Sequence, residues 1–213
     1  MPHTKWKQDF FAAVPPIALV DPLASVLGAI DDGAPIYYSF QECVKLAGHA
    51  CASVASAFKM THLALAALYG DAPPVRGEIA VRFAGDREIG ANGPIGQVIQ
   101  FLTGAAIETG FHGLGGNFAR ANLFVYDPTM TGRGAITVLY RRIDTCAEVT
   151  VHANPSAIPM TEQDKVNAQL MPKIIQGAAT PEEREAFYAY WQGRNRRILL
   201  EEHPGAFVVE RRG

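Results

Sequence analysis

Cysteine is scarce in this sequence, and the spacing of its few cysteines is informative. The 213 residues hold three, Cys43, Cys51 and Cys146, and no CxxC pair. Small disulfide-rich domains and zinc ribbons or fingers need paired cysteines at close spacing, so the sequence excludes both classes. Unpaired thiols are typical of proteins in a reducing compartment, and we therefore predict a cytoplasmic location.

Long apolar runs and basic clusters are also missing. No apolar stretch reaches the roughly 20 residues that a membrane-spanning helix needs. The stretch from Phe10 to Val20 follows two lysines, as in a signal peptide, but Pro15-Pro16 interrupt it and Asp21-Pro22 follow it. The net charge is −2 and no run of lysine or arginine stands out. We therefore expect neither a membrane nor a nucleic acid as a partner.

Signals for strands and for helices both occur, which makes α+β the predicted fold class. Alternating apolar and polar residues predict strands over Arg76–Phe83, Asn122–Tyr126, Ala135–Arg141 and Cys146–His152. The last three are closely spaced, as in an antiparallel meander, so we expect a mixed or antiparallel sheet. His152 ends the last of these strands and is expected at the surface.

Helix starts are marked by capping residues. Asp21-Pro22 predicts a helix that continues to Ile30, and residues 1–34 are therefore expected to be a helical extension of one domain spanning 1–213. Capping boxes, in which a Ser or Thr is followed three residues later by an acid, begin further helices at Ser39, Thr161 and Thr180.

One predicted helix, from about Ala50 to Tyr69, is almost without charge. It is rich in alanine, and Lys59 is its only ionic side chain. A helix that is apolar nearly all round lies in the interior, covered by other elements or by a second subunit. This favours a homodimer.

His49 and Cys51 lie at the entrance of that helix. Inside a helix two such side chains would diverge by about 200°, but before and within the first turn both can point at one spot. The positive end of the helix dipole favours a thiolate there. Imidazole beside thiolate suits an activated nucleophile, or two ligands of a zinc-like metal. The alternative is that both residues merely pack.

Three further residues are candidates for ligand binding. His112 lies in the glycine-rich loop Gly110–Asn117, where the backbone can approach a ligand closely, and it is the candidate third metal ligand. His62 shares a helix face with Cys51 but lies about 16 Å along it, so a core histidine is the favoured interpretation. Asn92 opens the next helix. A phosphate cradle in the glycine-rich loop is disfavoured because a strand follows it.

The segment Ser39–Ser53, SFQECVKLAGHACAS, resembles the opening of the FmdE-like family, which is named after a component of formylmethanofuran dehydrogenase. In that family a short helix leads into a His-Gly-His-x-Cys-Pro-Gly motif and a long helix. The similarity continues in scattered motifs to the late helix and covers roughly 35–200. It implies an α+β core that dimerises, with a cleft lined by Cys and His that is regarded as a metal or active site. His49 and Cys51 match that motif.

Departures from the family pattern remove thiol ligands. The first motif histidine falls on Ala47, a second family cysteine falls near Pro94 with its following acid near Gln97, and a third cysteine is replaced by Ala105. No cysteine follows Cys146, so the zinc finger of some relatives is absent. A multi-thiolate redox centre is excluded, and any metal needs His112 or another nitrogen or oxygen donor.

Three functions compete. The first is an enzyme-like site on a small molecule, with Cys51 as thiolate or metal ligand, His49 as base or second ligand, and a transition metal, most simply zinc, as cofactor. The second is a non-catalytic module that binds a metal, haem or another small ligand through His49 or His112. The third is a structural or partner-binding protein in which the pair has no chemical role.

Overall fold

Seven helices and two sheets follow one another in the computed structural model, which describes residues 3–212. The helices are α1 (Pro22–Val26), α2 (Phe40–Ala47), α3 (Ala52–Tyr69), α4 (Asn92–Thr103), α5 (Glu162–Ala168), α6 (Met171–Ile175) and α7 (Pro181–Leu200). The strands are β1 (Ile17–Val20), β2 (Pro35–Tyr38), β3 (Ile79–Ala84), β4 (Phe124–Asp127), β5 (Ile136–Arg142), β6 (Glu148–Ala153) and β7 (Phe207–Arg212). The α+β fold class is confirmed. No helix in this part of the chain combines the length and apolarity needed to cross a bilayer.

The main sheet is mixed and has the order β4-β3-β5-β6-β7. Strands β3, β5, β6 and β7 pair antiparallel, whereas β4 pairs parallel with β3. The predicted meander is therefore right for β5 and β6 and wrong for β4. A parallel pair needs a crossover connection, and α4 provides it between β3 and β4. That crossover carries β4 to the far side of β3.

The N-terminal segment is only partly helical. Asp21 caps α1 as predicted, but the helix ends at Val26 because Gly28 adopts a left-handed backbone (φ 71°). Strand β1, which the sequence did not predict, pairs antiparallel with β2 in a separate two-stranded sheet. Residues 17–20 therefore join the fold through backbone hydrogen bonds.

Helix α3 lies in the centre of the molecule and is covered by its own chain. Eleven of its 18 residues are buried, and it packs against α2, α4, α7 and strand β6. Its only ionic side chain, Lys59, reaches out to Glu202 with an Nζ–Oε1 distance of 3.2 Å. The apolar composition of α3 thus needs no second subunit, and the homodimer stays a prediction without support from this helix.

His152 is buried, not exposed as predicted. It is 8% exposed, and its Nδ1 lies 2.9 Å from Thr137 Oγ1 on the neighbouring strand. The backbone N–H of Arg133 also donates to Nδ1, over 3.3 Å. The loop before β5 covers this end of the sheet, a long-range contact that the strand pattern does not encode.

A buried charge network ties the N-terminal segment to the main sheet. Asp21 is 5% exposed and accepts hydrogen bonds from Arg76 Nη1 (3.1 Å) and Arg120 Nη2 (2.7 Å) as well as from the first-turn N–H groups of α1. Burial raises the pKa of the Asp21 carboxyl, but the hydrogen bond and the charge of Arg120, with smaller contributions from Ala24 and Arg76, outweigh it. The pKa therefore lies below its usual value of 3.8.

We expect Asp21→Asn to destabilise the protein by about 3 kcal/mol near neutral pH, because it leaves two buried arginines without their anion while asparagine still caps α1. Since the folded-state pKa is below 3.8, this stabilisation is complete above that pH and is lost as the pH falls through the folded value. The difference between wild type and variant should therefore shrink as the pH falls below 3.8. Denaturant unfolding measures both. Asp32→Asn, at an exposed position, is the control. If it lowered the free energy of unfolding as much as Asp21→Asn does, this account would be contradicted.

Candidate functional site

The link between α2 and α3 is held in a defined conformation. Gly48 ends α2 with a left-handed backbone (φ 74°), which turns the chain sharply before His49. The carbonyl of the buried residue Ala50 accepts a hydrogen bond from Trp191 Nε1 at 2.8 Å. This bond fixes the link to the middle of α7, so His49 and Cys51 start from an anchored backbone.

His49 is exposed and has a defined tautomer. Its Nδ1 lies 2.9 Å from the carbonyl oxygen of Ala47. Because a carbonyl oxygen can only accept, Nδ1 carries the hydrogen and Nε2 keeps its lone pair. A histidine held in this way by a backbone carbonyl is oriented for use as a base or as a metal ligand through Nε2.

Cys51 is half-buried and is the N-cap of α3, one position before the first turn in which the sequence placed it. Its backbone is extended (φ −143°, ψ 171°), and within residues 3–212 no side chain caps the helix. The first N–H groups of an 18-residue helix, left without a capping side chain, favour negative charge on a nearby thiol or ligand.

Two clefts lie on either side of this link. The first, which we call the aromatic cleft, has a volume of about 410 Å³ and is lined by Ala50 together with Trp6, Phe11 and Tyr188. The second, which we call the helix-end cleft, has a volume of about 390 Å³ and is lined by the first residues of α3 and α4. Residues next to His49 and Cys51 in the sequence thus line both clefts, whereas His49 and Cys51 themselves line neither.

The helix-end cleft favours an anion. Ala52 and Ser53 of α3 line it, as does Asn92 of α4, whose N-cap Ala91 also lacks a capping side chain. Arg194 of α7 lines it as well and has neither an ion pair nor a hydrogen bond to any described residue. Two helix N-termini and an unpaired guanidinium thus face one cavity.

The structure brings Asn92 to the start of α3 but places His112 elsewhere. The side chain of Asn92 donates to the carbonyl of Asp86 at 2.8 Å and so stabilises the loop before α4. His112 is exposed in the loop that follows the C-terminal end of α4, and it lines neither of the two clefts. His62 is also exposed, so its interpretation as a core histidine is wrong.

Arg194 is a candidate site residue that the sequence analysis did not identify. It belongs to the run Arg194, Arg196 and Arg197 near the end of α7, which looks like compensation of the helix dipole. Arg197 is used differently, since its Nη1 donates to Asp164 of α5 at 2.9 Å. Only the packing of α7 against α3 separates the roles of these arginines.

A metal site is incomplete within one chain. Among residues 3–212 there is no group of three or more His, Cys, Asp or Glu side chains placed to hold a metal ion. Zinc takes four ligands, and His49 and Cys51 provide two of the types it prefers. The remaining positions would have to come from water, from a bound ligand or from another molecule.

No protein-family model matches the chain, and no curated protein matches it. The resemblance to the FmdE-like family therefore rests on the motifs in the sequence, chiefly the segment 39–53.

The three thiols differ in exposure, which makes their reactivity a direct check on this site. Cys43 is fully buried, and burial raises the pKa of its thiol to about 12. We expect the native protein to titrate with two reactive thiols, Cys51 and Cys146, in an assay with Ellman's reagent. The third thiol should react only after unfolding. Reaction of Cys43 in a folded Cys51→Ser/Cys146→Ser variant would contradict the packing described.

Proposed function

We propose that the protein acts on a small molecule at the N-terminal end of α3, with Cys51 as thiolate and His49 as base. The observation that carries this proposal is the hydrogen bond between His49 Nδ1 and the Ala47 carbonyl (2.9 Å), which leaves an exposed, basic Nε2 two residues before an uncapped helix. A fixed imidazole and a thiol in a positive field are the parts of an activated sulfur nucleophile.

The helix-end cleft supports an anionic substrate. Its walls combine the first residues of α3 with the unpaired guanidinium of Arg194. A carboxylate or phosphate group held there would neutralise this guanidinium and accept hydrogen bonds from the free N–H groups of the helix. Such a group would lie beside the residue that follows Cys51, so the rest of the substrate could extend towards the sulfur.

A transition metal, zinc first, belongs to the same proposal because the FmdE-like resemblance implies one. His49 Nε2 and Cys51 Sγ are the donors this chain offers, and zinc bound there would supply a Lewis acid. Homodimer formation is the second part implied by the resemblance, and a partner copy is one source of the missing ligands. In such a dimer, His112 of one copy would serve as a ligand in the site of the other copy.

A non-catalytic binding module is the alternative, and the aromatic cleft favours it. Trp6, Phe11 and Tyr188 surround Ala50, the residue between His49 and Cys51. Aromatic walls suit a flat apolar ligand such as haem, for which His49 would be the ligating base. In this version Cys51 has no chemical role.

Alkylation of Cys51 tests the first proposal. The assay uses a Cys146→Ser background, because Cys146 is exposed and its sulfur lies 3.0 Å from Arg141 Nη2, so that it would react as well. In this background we expect His49→Ala to slow the reaction of Cys51 with iodoacetamide about ten-fold or more. Intact-mass spectrometry follows the rate. His62→Ala is the matched control, because that exposed histidine lies on the same helix, and it should leave the rate unchanged. Equal rates with and without His49 would refute the role of base.

Metal analysis and an absorption spectrum of the purified protein separate the alternatives. We expect bound zinc to be lost in both His49→Ala and Cys51→Ala, since each removes one of two donors. A visible absorption band that survives Cys51→Ala and disappears in His49→Ala would instead favour the haem-binding module. If metal content and stability stay unchanged in the His49→Ala/Cys51→Ala variant, and His49→Ala alone leaves the alkylation rate of Cys51 unchanged, the pair is structural and both proposals are wrong.

A further inference from the structure

A third cavity lies at the opposite end of α4, under the glycine-rich loop. It has a volume of about 390 Å³, and its lining includes Arg76, Arg120 and the loop residues from Gly116 to Ala119. We call it the Arg120 cleft. It shares no lining residue with the two clefts beside α3. An inference about it is therefore independent of the function proposed above.

Arg120 is buried with most of its donors unused. The residue is 9% exposed, and among described residues the only acceptor of its guanidinium is Asp21. Its Nε is buried without a hydrogen-bond partner. Arg76, in contrast, donates to Asp21 with Nη1 and to the Phe101 carbonyl with Nε and Nη2. Two guanidinium groups thus share one carboxylate, which leaves one positive charge in excess and several N–H groups without acceptors.

The surrounding backbone is shaped around this guanidinium. A Cβ at Gly104 would lie 2.5 Å from Arg120 Nη1, and one at Gly77 would lie 3.2 Å from its Cζ. Phe118, which lines the cleft, adopts a left-handed backbone (φ 61°) that is unfavourable for a phenylalanine. A strained loop residue and two close glycine contacts are typical of a built binding site.

The outer wall of the cleft carries the opposite charge and apolar side chains. Glu78 follows Gly77 directly, is exposed, and its carboxylate makes no hydrogen bond or ion pair in the described chain. Asp144, also on this wall, is bound to Arg142 and so is not available. Leu23 and Ile143 add apolar surface beside Phe118. The cleft therefore offers a buried cation, an exposed anion and an apolar wall.

We propose that the Arg120 cleft binds a free α-amino acid with an apolar side chain. The α-carboxylate would accept hydrogen bonds from Arg120 and neutralise the excess charge of the two arginines. The α-ammonium would pair with Glu78, and the side chain would contact Leu23, Phe118 and Ile143. A simple anion would leave Glu78 unused and repelled, so the zwitterion fits the charges of this cleft better.

Isothermal titration calorimetry of the full chain tests this assignment with three related probes. L-Phenylalanine carries both charges, 3-phenylpropionate lacks the ammonium, and 2-phenylethylamine lacks the carboxylate. We expect L-phenylalanine to bind at least about ten-fold more tightly than either of the others, because each of these loses one charge-assisted hydrogen bond. If none of the three binds, water satisfies Arg120 and the proposal is wrong.

Variants separate the two ends of the ligand. Glu78→Gln should weaken L-phenylalanine about ten-fold and should not weaken 3-phenylpropionate, which Glu78 repels, whereas Arg120→Lys should weaken both. Because Arg120 is buried, circular dichroism must show that Arg120→Lys folds. Glu78→Gln changes a surface residue and therefore tests the proposal even if the Arg120 variant does not fold. Glu88→Gln, an exposed acid outside the cleft, is the control. Equal affinities in Glu78→Gln and wild type would refute the amino-acid assignment.

Cys51 alkylation should not respond to L-phenylalanine, so this proposal and the proposed function fail separately.

Discussion

The burial of α3 is the constraint on which the rest of the structure depends. A helix with one ionic side chain must be covered on nearly every face, and the main sheet, α4 and α7 supply that cover. Its exposed residues, His62 and Ala66, lie one turn apart on one side, and Cys51 at its N-terminal end is half-buried. The N-terminal end therefore becomes the place where the link from α2, the start of α4 and the middle of α7 converge. Clefts form there because three helices meet at angles that side chains fill incompletely.

Features encoded locally could be predicted from the sequence. The capping boxes at Ser39, Thr161 and Thr180 all begin helices in the structure, because each depends on residues three positions apart. The position of β4, the strand β1 and the burial of His152 could not be predicted in the same way. Each is decided by partners far along the chain: β3 across a crossover, β2 in a second sheet, and the loop before β5. Alternation shows that a strand exists but does not identify its neighbours.

The same distinction applies to the candidate site. The pattern His49-x-Cys51 correctly located a histidine and a cysteine at the mouth of a buried helix, since both follow from where the helix begins. The tautomer of His49 depends on Ala47, two residues away, and would be within reach of a careful local argument. The position of Arg194 at the helix-end cleft could not be predicted in this way. Nothing in the sequence distinguishes Arg194 from Arg197, and the two differ only once α7 is packed against α3 and α5.

Charge is distributed differently at the two ends of α4, and this difference can be compared with the FmdE-like pattern that the sequence resembles. At its start, helix N–H groups and Arg194 face a cleft beside Cys51; at its end, two arginines share Asp21 beneath a glycine-rich loop. Alanine stands at 47 and 105, where the family pattern has a histidine and a cysteine. Compared with that pattern, this chain has fewer soft metal ligands, whereas it has donors for oxyanions at both clefts. A site with that balance of donors favours ligand recognition through N–H groups and guanidinium over recognition through a fully protein-coordinated metal.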